Sequence, residues 1–185
     1  MATAPARFGW VLAGGASSRM GTDKAKLPWG DTDVLGHAVA VLSRSGVGRV
    51  LVSGRPGHSD AIPDDEPNLG PLGGLVTLAR HCPDGAAWII AVDAPQVSPA
   101  DLHALAADGT QQACCFEGFP MPMWLRLDAH ARATLAAASR HPEAARRSLR
   151  AWQTEIGTLR LPCTEARAAR LRGANTPGEW AALRA

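Results

Sequence analysis

Lys24 and Lys26 are the chain's only lysines among 19 basic residues, and both fall in one glycine-rich stretch, Leu12-Ala13-Gly14-Gly15-Ala16-Ser17-Ser18-Arg19-Met20-Gly21-Thr22-Asp23-Lys24-Ala25-Lys26. A sequence that otherwise builds positive charge from arginine uses ammonium groups here, where a compact, rotatable point charge suits phosphate. Glycines after a strand let the backbone approach a ligand closely, and their N–H groups can form an anion-binding concavity. Arg19, Lys24 and Lys26 are balanced locally only by Asp23. The spacing is neither the G-x-x-x-x-G-K-[ST] of a Walker loop nor the G-x-G-x-x-G of dinucleotide binders. A solvated Gly/Ser turn is the plainer reading of the same composition.

Asp93 is the second chemical candidate. It follows the apolar run Trp88 to Val92, which places it at the carboxyl edge of a strand, where open α/β sheets bind ligands and a carboxylate can hold a metal. The same residue could simply begin a turn before Pro95. If both sites share a sheet edge, the metal reading is favoured; in-line transfer at the α-phosphate of a nucleoside triphosphate would need only backbone amides, one or two cations and a carboxylate-held Mg²⁺, with no nucleophilic side chain. Gly70 to Gly74 places Pro71 at a helix start among small residues, suited to a base or ribose or merely to tight packing. In Asn175-Thr176-Pro177-Gly178-Glu179, Thr176 and Glu179 form a capping box, which leaves Asn175 for function or for a turn. Arg146, Arg147 and Arg150 form a basic face, either solvated or opposed to a phosphorylated ligand.

The elements that must position these groups alternate between apolar runs and helical periodicity, the signature of α/β folds. Strands are expected over 8–13, 49–53 and 86–92, and helices over 34–45 (closed by Gly46), 71–81 and from the capping box Ser98-Pro99-Ala100-Asp101. Residues 112–116 and 119–127 read as strands around Gly118, with Pro120 and Pro122 arguing for an edge or a bulge. Helices over 128–139 and 143–154, a strand near 157–161 and a helix after Pro177 complete one continuous sheet covered by helices. The 185 residues are expected to form a single domain.

Composition narrows the class. Hydrophobic residues make up 46% and charged residues 19%, ordinary for a globular chain and unlike a disordered one. Net charge is +2, yet residues 131–185 carry 10 Arg against 4 Glu. Four cysteines show no C-x-x-C spacing and six histidines no paired arrangement, so neither a zinc site nor a disulfide framework is indicated, and a reducing cytoplasm is the expected home. No apolar run approaches the ~18 residues of a membrane span. The apolar start superficially imitates a secretory signal, but three glycines interrupt it. Three phenylalanines and no tyrosine leave few stacking residues besides tryptophan for nucleic acid.

The run LAGGASSRMGTDKAKLPW resembles the N-terminal signature of the MobA-like nucleotidyltransferases, specifically the molybdenum cofactor guanylyltransferases. The likeness continues in order through Gly70-Pro71-Leu72-Gly73-Gly74, Ala91-Val92-Asp93-Ala94-Pro95, Arg146-Arg147-Ser148-Leu149-Arg150 and Asn175-Thr176-Pro177. It implies a three-layer Rossmann-like nucleotidyltransferase fold with a mostly parallel central sheet and helices on both faces. It implies transfer of GMP from GTP to the terminal phosphate of molybdopterin with Mg²⁺, and molybdoenzymes or cofactor-biosynthesis proteins as candidate partners, without nucleic acid or membrane. Matched residue by residue, Leu12, Ala13, Gly14 and Gly15 would begin the nucleotide loop, Arg19 and Lys24 would face the triphosphate, and Asp93 would hold the metal. Asp64, or Asp65 beside it, would contact the nucleotide together with Gly70, Pro71 and Asn175. Ser53 stands where the family often has asparagine, and Phe119-Pro120 where it has His-Pro. A cytidylyl- or sugar-phosphate nucleotidyltransferase and a non-catalytic nucleotide-binding module are the alternatives.

Overall fold

The computed structural model describes residues 6–14, 23–55, 57–65, 69–106, 110–174 and 176–184. Strand β1 (Ala6–Leu12) precedes a 3-10 turn (Lys24–Lys26), a small antiparallel hairpin of β2 (Pro28–Trp29) and β3 (Thr32–Asp33), and helix α1 (Val34–Arg44). Next come β4 (Arg49–Ser53), β5 (Ala61–Ile62), α2 (Gly70–His81), β6 (Gly85–Ala91) and α3 (Pro99–Leu105). The remainder holds β7 (Ala113–Phe116), β8 (Phe119–Leu127), α4 (Ala129–Ser139), a second 3-10 turn (Ala144–Arg146), α5 (Leu149–Glu155), β9 (Leu159–Leu161), α6 (Glu165–Leu171) and α7 (Pro177–Arg184).

Seven strands form one sheet in the order β5-β4-β1-β6-β8-β7-β9. All pairs are parallel except those made by β8, which runs antiparallel to both β6 and β7. Alternation along β1 explains the layers. Phe8, Trp10 and Leu12 point into a core shared with α2, α4 and α5, including Leu72, Leu75, Leu135 and Trp152. Val11 points into the opposite core with Val34 and Leu42 of α1, Leu102 of α3 and Trp180 of α7. Helices therefore cover both faces, as the alternating pattern predicts.

The connections create the crevice. From β1 the chain passes through α1 to β4 and β5 on one side, then returns through α2, on the other face, to β6 on the far side of β1. Such a reversal leaves space outside the carboxyl ends of the central strands.

Three expectations are corrected. Pro120 and Pro122 do not mark an edge, because β8 lies between β6 and β7. They are tolerated because pairing with β6 covers only Met123 to Leu127, and pairing with β7 jumps from Phe119 to Met123 across an irregularity. The bulge reading holds. The helix expected over 143–154 is interrupted at Arg147 and Ser148, where the Ser148 hydroxyl accepts the Ala151 N–H at 3.3 Å and caps α5 afresh. The hairpin β2–β3 stands outside the main sheet, and it, β5 and α6 add to the expected elements. Both Cys114 and Cys115 are buried core residues, and none of the four cysteines forms a disulfide.

A buried carboxylate ties the last third of the chain to its middle. Asp101 is fully buried at the start of α3, in the expected capping box with Ser98. It also accepts bonds from Arg167 at 3.0 Å and Arg170 at 2.9 Å, both on α6. Desolvation pushes the Asp101 carboxyl up, but the hydrogen bonds from Arg170, Ser98 and Arg167 together outweigh it and hold the group below the ordinary carboxylate value of 3.8. The arginines are partly exposed, so Asp101→Ala is expected to cost about 2–3 kcal/mol in urea unfolding, less than the ~3–5 kcal/mol of a wholly buried pair. Because the folded carboxyl titrates below the unfolded one, this stabilisation is present above about pH 4 and fades as pH falls further. The wild-type midpoint should therefore drop on acidification more than that of the Asp101→Ala protein.

Candidate active site

The carboxyl ends of β4, β1 and β6 stand side by side, and a cleft of about 220 Å³ opens over them. Leu12, Ala13, Gly14, Lys24, Ser53, Asp64, Gly70, Pro71 and Asp93 all line it, joined by Arg55. Nine candidate positions, spread from residue 12 to residue 93, thus converge on one place. Gly15, Arg19 and Asn175 lie outside the described residues. A wider hollow of about 740 Å³ sits near Arg7, Trp88 and Trp124, at the amino ends of β1 and β6. The smaller cleft has the sheet edge that binds ligands and the residues suited to phosphate.

Its floor is a contact between two backbones. Gly14 follows β1 and Gly54 follows β4, and a Cβ built on Gly54 would lie 2.5 Å from the Cα of Gly14. Gly54 also has φ +70, the left-handed region that favours glycine. On the other side, a Cβ on Gly14 would lie 2.9 Å from Oδ2 of Asp64. Both glycines therefore act by omission, letting strand ends and a carboxylate share one small volume.

Asp64 and Asp65 have separate fates. Asp65 is exposed, pairs with Arg80 at 2.8 Å and accepts nothing from the cleft, whereas its N–H donates to Thr77. Asp64 lines the cleft, and its Oδ1 is buried with no hydrogen-bond partner among the described residues. Burial first, and then the neighbouring Asp65 charge, push the Asp64 carboxyl up. A buried orphan acceptor of this kind is suited to a ligand's hydroxyl or N–H.

Asp93 lies two residues past the end of β6 and is half-buried. Burial pushes its carboxyl up, while the Lys24 ammonium pulls it back down. Lys24 and Asp93 thus open onto the same cleft and interact electrically. Behind Asp93 runs the segment after α6: Ala174 N–H donates to the Asp93 carbonyl at 3.0 Å, and a Cβ on Gly173 would lie 3.1 Å from the carboxyl carbon. Ser53 is buried at the end of β4, its hydroxyl lying 2.8 Å from where a Cβ on Gly74 of α2 would stand. Gly70, with φ +55, and Pro71 form the exposed start of α2 at the rim.

Other candidates are not brought in. Arg146 pairs loosely with Glu143 at 3.8 Å, Arg150 donates to the Gly118 carbonyl at 3.3 Å, and neither these nor Arg147 line the cleft. Thr176 and Glu179 form the expected reciprocal cap of α7. Arg55 is the cleft residue that sequence reasoning misses. A lone arginine two residues after a strand gives no periodic or spacing signal, and only the fold shows what it reaches.

Solved structures share this α/β sheet. Molybdopterin-guanine dinucleotide biosynthesis protein A from Archaeoglobus fulgidus superposes with a TM-score of 0.75 over 95% of each chain at 17% identity. The 2-C-methyl-D-erythritol 4-phosphate cytidylyltransferase from Thermus thermophilus gives 0.64 over 95% of this chain and 98% of that one at 16% identity. At such identities the likeness is one of fold. Sequence goes further: the MobA-like NTP transferase domain matches residues 9–156. A molybdenum cofactor guanylyltransferase of Xanthomonas euvesicatoria pv. vesicatoria is 40% identical over 176 residues, 95% of this chain and 93% of that protein. The chain belongs to the MobA-like NTP transferase family.

The floor contact makes a prediction that does not depend on catalysis. Gly54→Ala should destabilise the protein by about 2–3 kcal/mol, since it adds a clash with Gly14 to the strain of a positive φ. Gly57→Ala, with φ +98 but nothing within 4 Å of the new Cβ, should cost only about 1 kcal/mol. Urea unfolding of the two variants side by side checks the difference.

Proposed function

We propose that this chain transfers GMP from GTP to the terminal phosphate of molybdopterin, releasing pyrophosphate and forming a guanine dinucleotide. The observation that carries the reading is the shared cleft of Lys24, Asp64 and Asp93 in a chain 40% identical, almost end to end, to a molybdenum cofactor guanylyltransferase. An oxygen of the acceptor's terminal phosphate attacks the α-phosphorus in line, and the bond to the bridging oxygen of pyrophosphate breaks. The protein's task is to position the two anions and offset their charge.

In this reading the backbone of Leu12 to Gly14 cradles the nucleotide, since the glycine floor leaves room for phosphate to approach the chain. Lys24 places a positive charge against the triphosphate, where it opposes the negative charge that develops on the leaving group. Asp64 accepts a hydrogen bond from the nucleoside, which satisfies its orphan oxygen. Ser53, Gly70 and Pro71 shape the nucleoside side of the cleft. The family resemblance adds Arg19 as a triphosphate contact and Gly15 and Asn175 as nucleotide contacts.

Mg²⁺ suits this donor set. Among the described residues no three histidine, cysteine or carboxylate side chains converge to cage a metal, and Mg²⁺ characteristically takes one or two carboxylates with phosphate oxygens and water. Asp93 would hold it, and the ion would supply charge neutralisation between phosphate oxygens. No helix among the described residues is long and apolar enough to cross a membrane, and we place the reaction in the cytoplasm.

Pyrophosphate release from GTP in the presence of molybdopterin is the direct test. Lys24→Ala and Asp93→Ala should each lower turnover by about 10² or more with the fold intact. Near-normal release from either variant removes that residue from the mechanism. At 100 times its Kd a nucleotide adds ~2.7 kcal/mol, so GTP with Mg²⁺ should raise the melting temperature by roughly 5–10 °C. Stronger stabilisation by CTP than by GTP overturns the guanylyl assignment.

A further inference from the structure

We infer that Arg55 is a positioning residue that sets Lys24 in place by clasping the two ends of the glycine-rich segment. The inference rests on the nucleotidyl-transfer reading of the cleft and adds to it a residue that neither touches the reacting atoms nor stands out in the sequence. Arg55 leaves the end of β4 through Gly54. Its Nε donates to the Ala13 carbonyl at 2.9 Å, and its Nη1 donates to Oδ2 of Asp23 in an ion pair. One guanidinium thus joins the residue just past β1 to the residue just before Lys24.

Asp23 passes the constraint on. Its Oδ1 accepts the Ala25 N–H at 3.2 Å and caps the 3-10 turn Lys24–Lys26. One carboxylate oxygen is therefore fixed to Arg55 while the other fixes the turn that bears the lysine. The Arg55 hydrogen bond is the leading influence holding the Asp23 carboxyl below its ordinary range. The side chains of Arg55 and Asp23 are only 20% and 32% exposed, so the pair is not one of the solvated surface contacts that contribute little. The clasp also needs a guanidinium. Two acceptors in different directions suit its rigid fork, while an ammonium on a flexible stem offers a single point charge.

Fixing both ends of the segment limits how far Lys24 can wander from the cleft it shares with Asp93. Displacement of a charged group by about 1 Å can cost on the order of 10² in rate.

The experiment is a double-mutant cycle on the full chain, using Arg55→Ala, Arg55→Lys, Lys24→Ala and the pair Lys24→Ala/Arg55→Ala. Each protein is first checked for native circular dichroism and cooperative unfolding. Two readouts are taken: kcat/KM for pyrophosphate release from GTP with molybdopterin, and calorimetric affinity for inorganic tripolyphosphate. Arg55→Ala should lose about 10²-fold in kcat/KM and about 10-fold in tripolyphosphate affinity. Arg55→Lys should remain within a few-fold of Arg55→Ala, because the charge survives without the fork. In the Lys24→Ala background, removing Arg55 should change neither quantity further, since the residue acts through Lys24. Multiplicative losses in the double variant, recovery by Arg55→Lys, or wild-type values in Arg55→Ala overturn the inference. A wild-type protein that releases no pyrophosphate from GTP overturns the functional reading instead, and the tripolyphosphate cycle still decides the role of Arg55.

Discussion

Everything at the working edge of this protein depends on two strand ends being allowed to touch. Gly14 and Gly54 bring the backbones after β1 and β4 so close that a methyl on Gly54 would collide with Gly14, while one on Gly14 would meet the Asp64 carboxylate. That contact fixes the cleft floor, sets the distance from which Asp64 reaches in, and launches Arg55 toward the other side of the glycine-rich segment. The sheet supplies the stiffness. β1 is paired on both sides in parallel register, with Leu12 opposite Ser53 and Ala91, so the three strand tips beneath the cleft move as one body. Positioning of this kind is what a reaction without a covalent protein intermediate needs most.

The electrical design follows from the same placement. Asp93 and Asp64 are both carboxylates with burial opposing their ionisation. A protein that only needed stability would gain from neutral groups there, since unpaired buried charge is costly. Their placement at a sheet edge beside Lys24 makes sense if a ligand supplies the partner that the Asp64 Oδ1 lacks. Asp101 shows the contrast. It is withdrawn further from water than either, yet is saturated by Ser98, Arg167 and Arg170, and so belongs to the framework.

Much of this is legible in the residues, for identifiable reasons. The loop after β1 concentrates both lysines among glycines, and Asp93 closes an apolar run, so each carries a local chemical signal. The caps at Ser98-Asp101 and Thr176-Glu179 are equally readable, because a capping box is a contact between neighbours in the chain. What escapes is non-local. Arg55 acquires meaning only from partners 42 and 32 positions away. The choice between Asp64 and Asp65 depends on which one turns toward Arg80. Pro120 and Pro122 suggest an edge because a proline cannot join a ladder, yet β8 is central and places them beyond the stretch that pairs with β6.

The family match ends at residue 156, yet the wall behind Asp93 is built from Gly173 and Ala174. During synthesis the chain emerges amino end first, so the strands, the glycine floor and Lys24 are all available before that backing has been made. Every residue that lines the cleft thus leaves the ribosome before the segment that braces Asp93 from behind. A nascent polypeptide halted after the matched region would hold every group lining the cleft, with Asp93 still unbraced from behind.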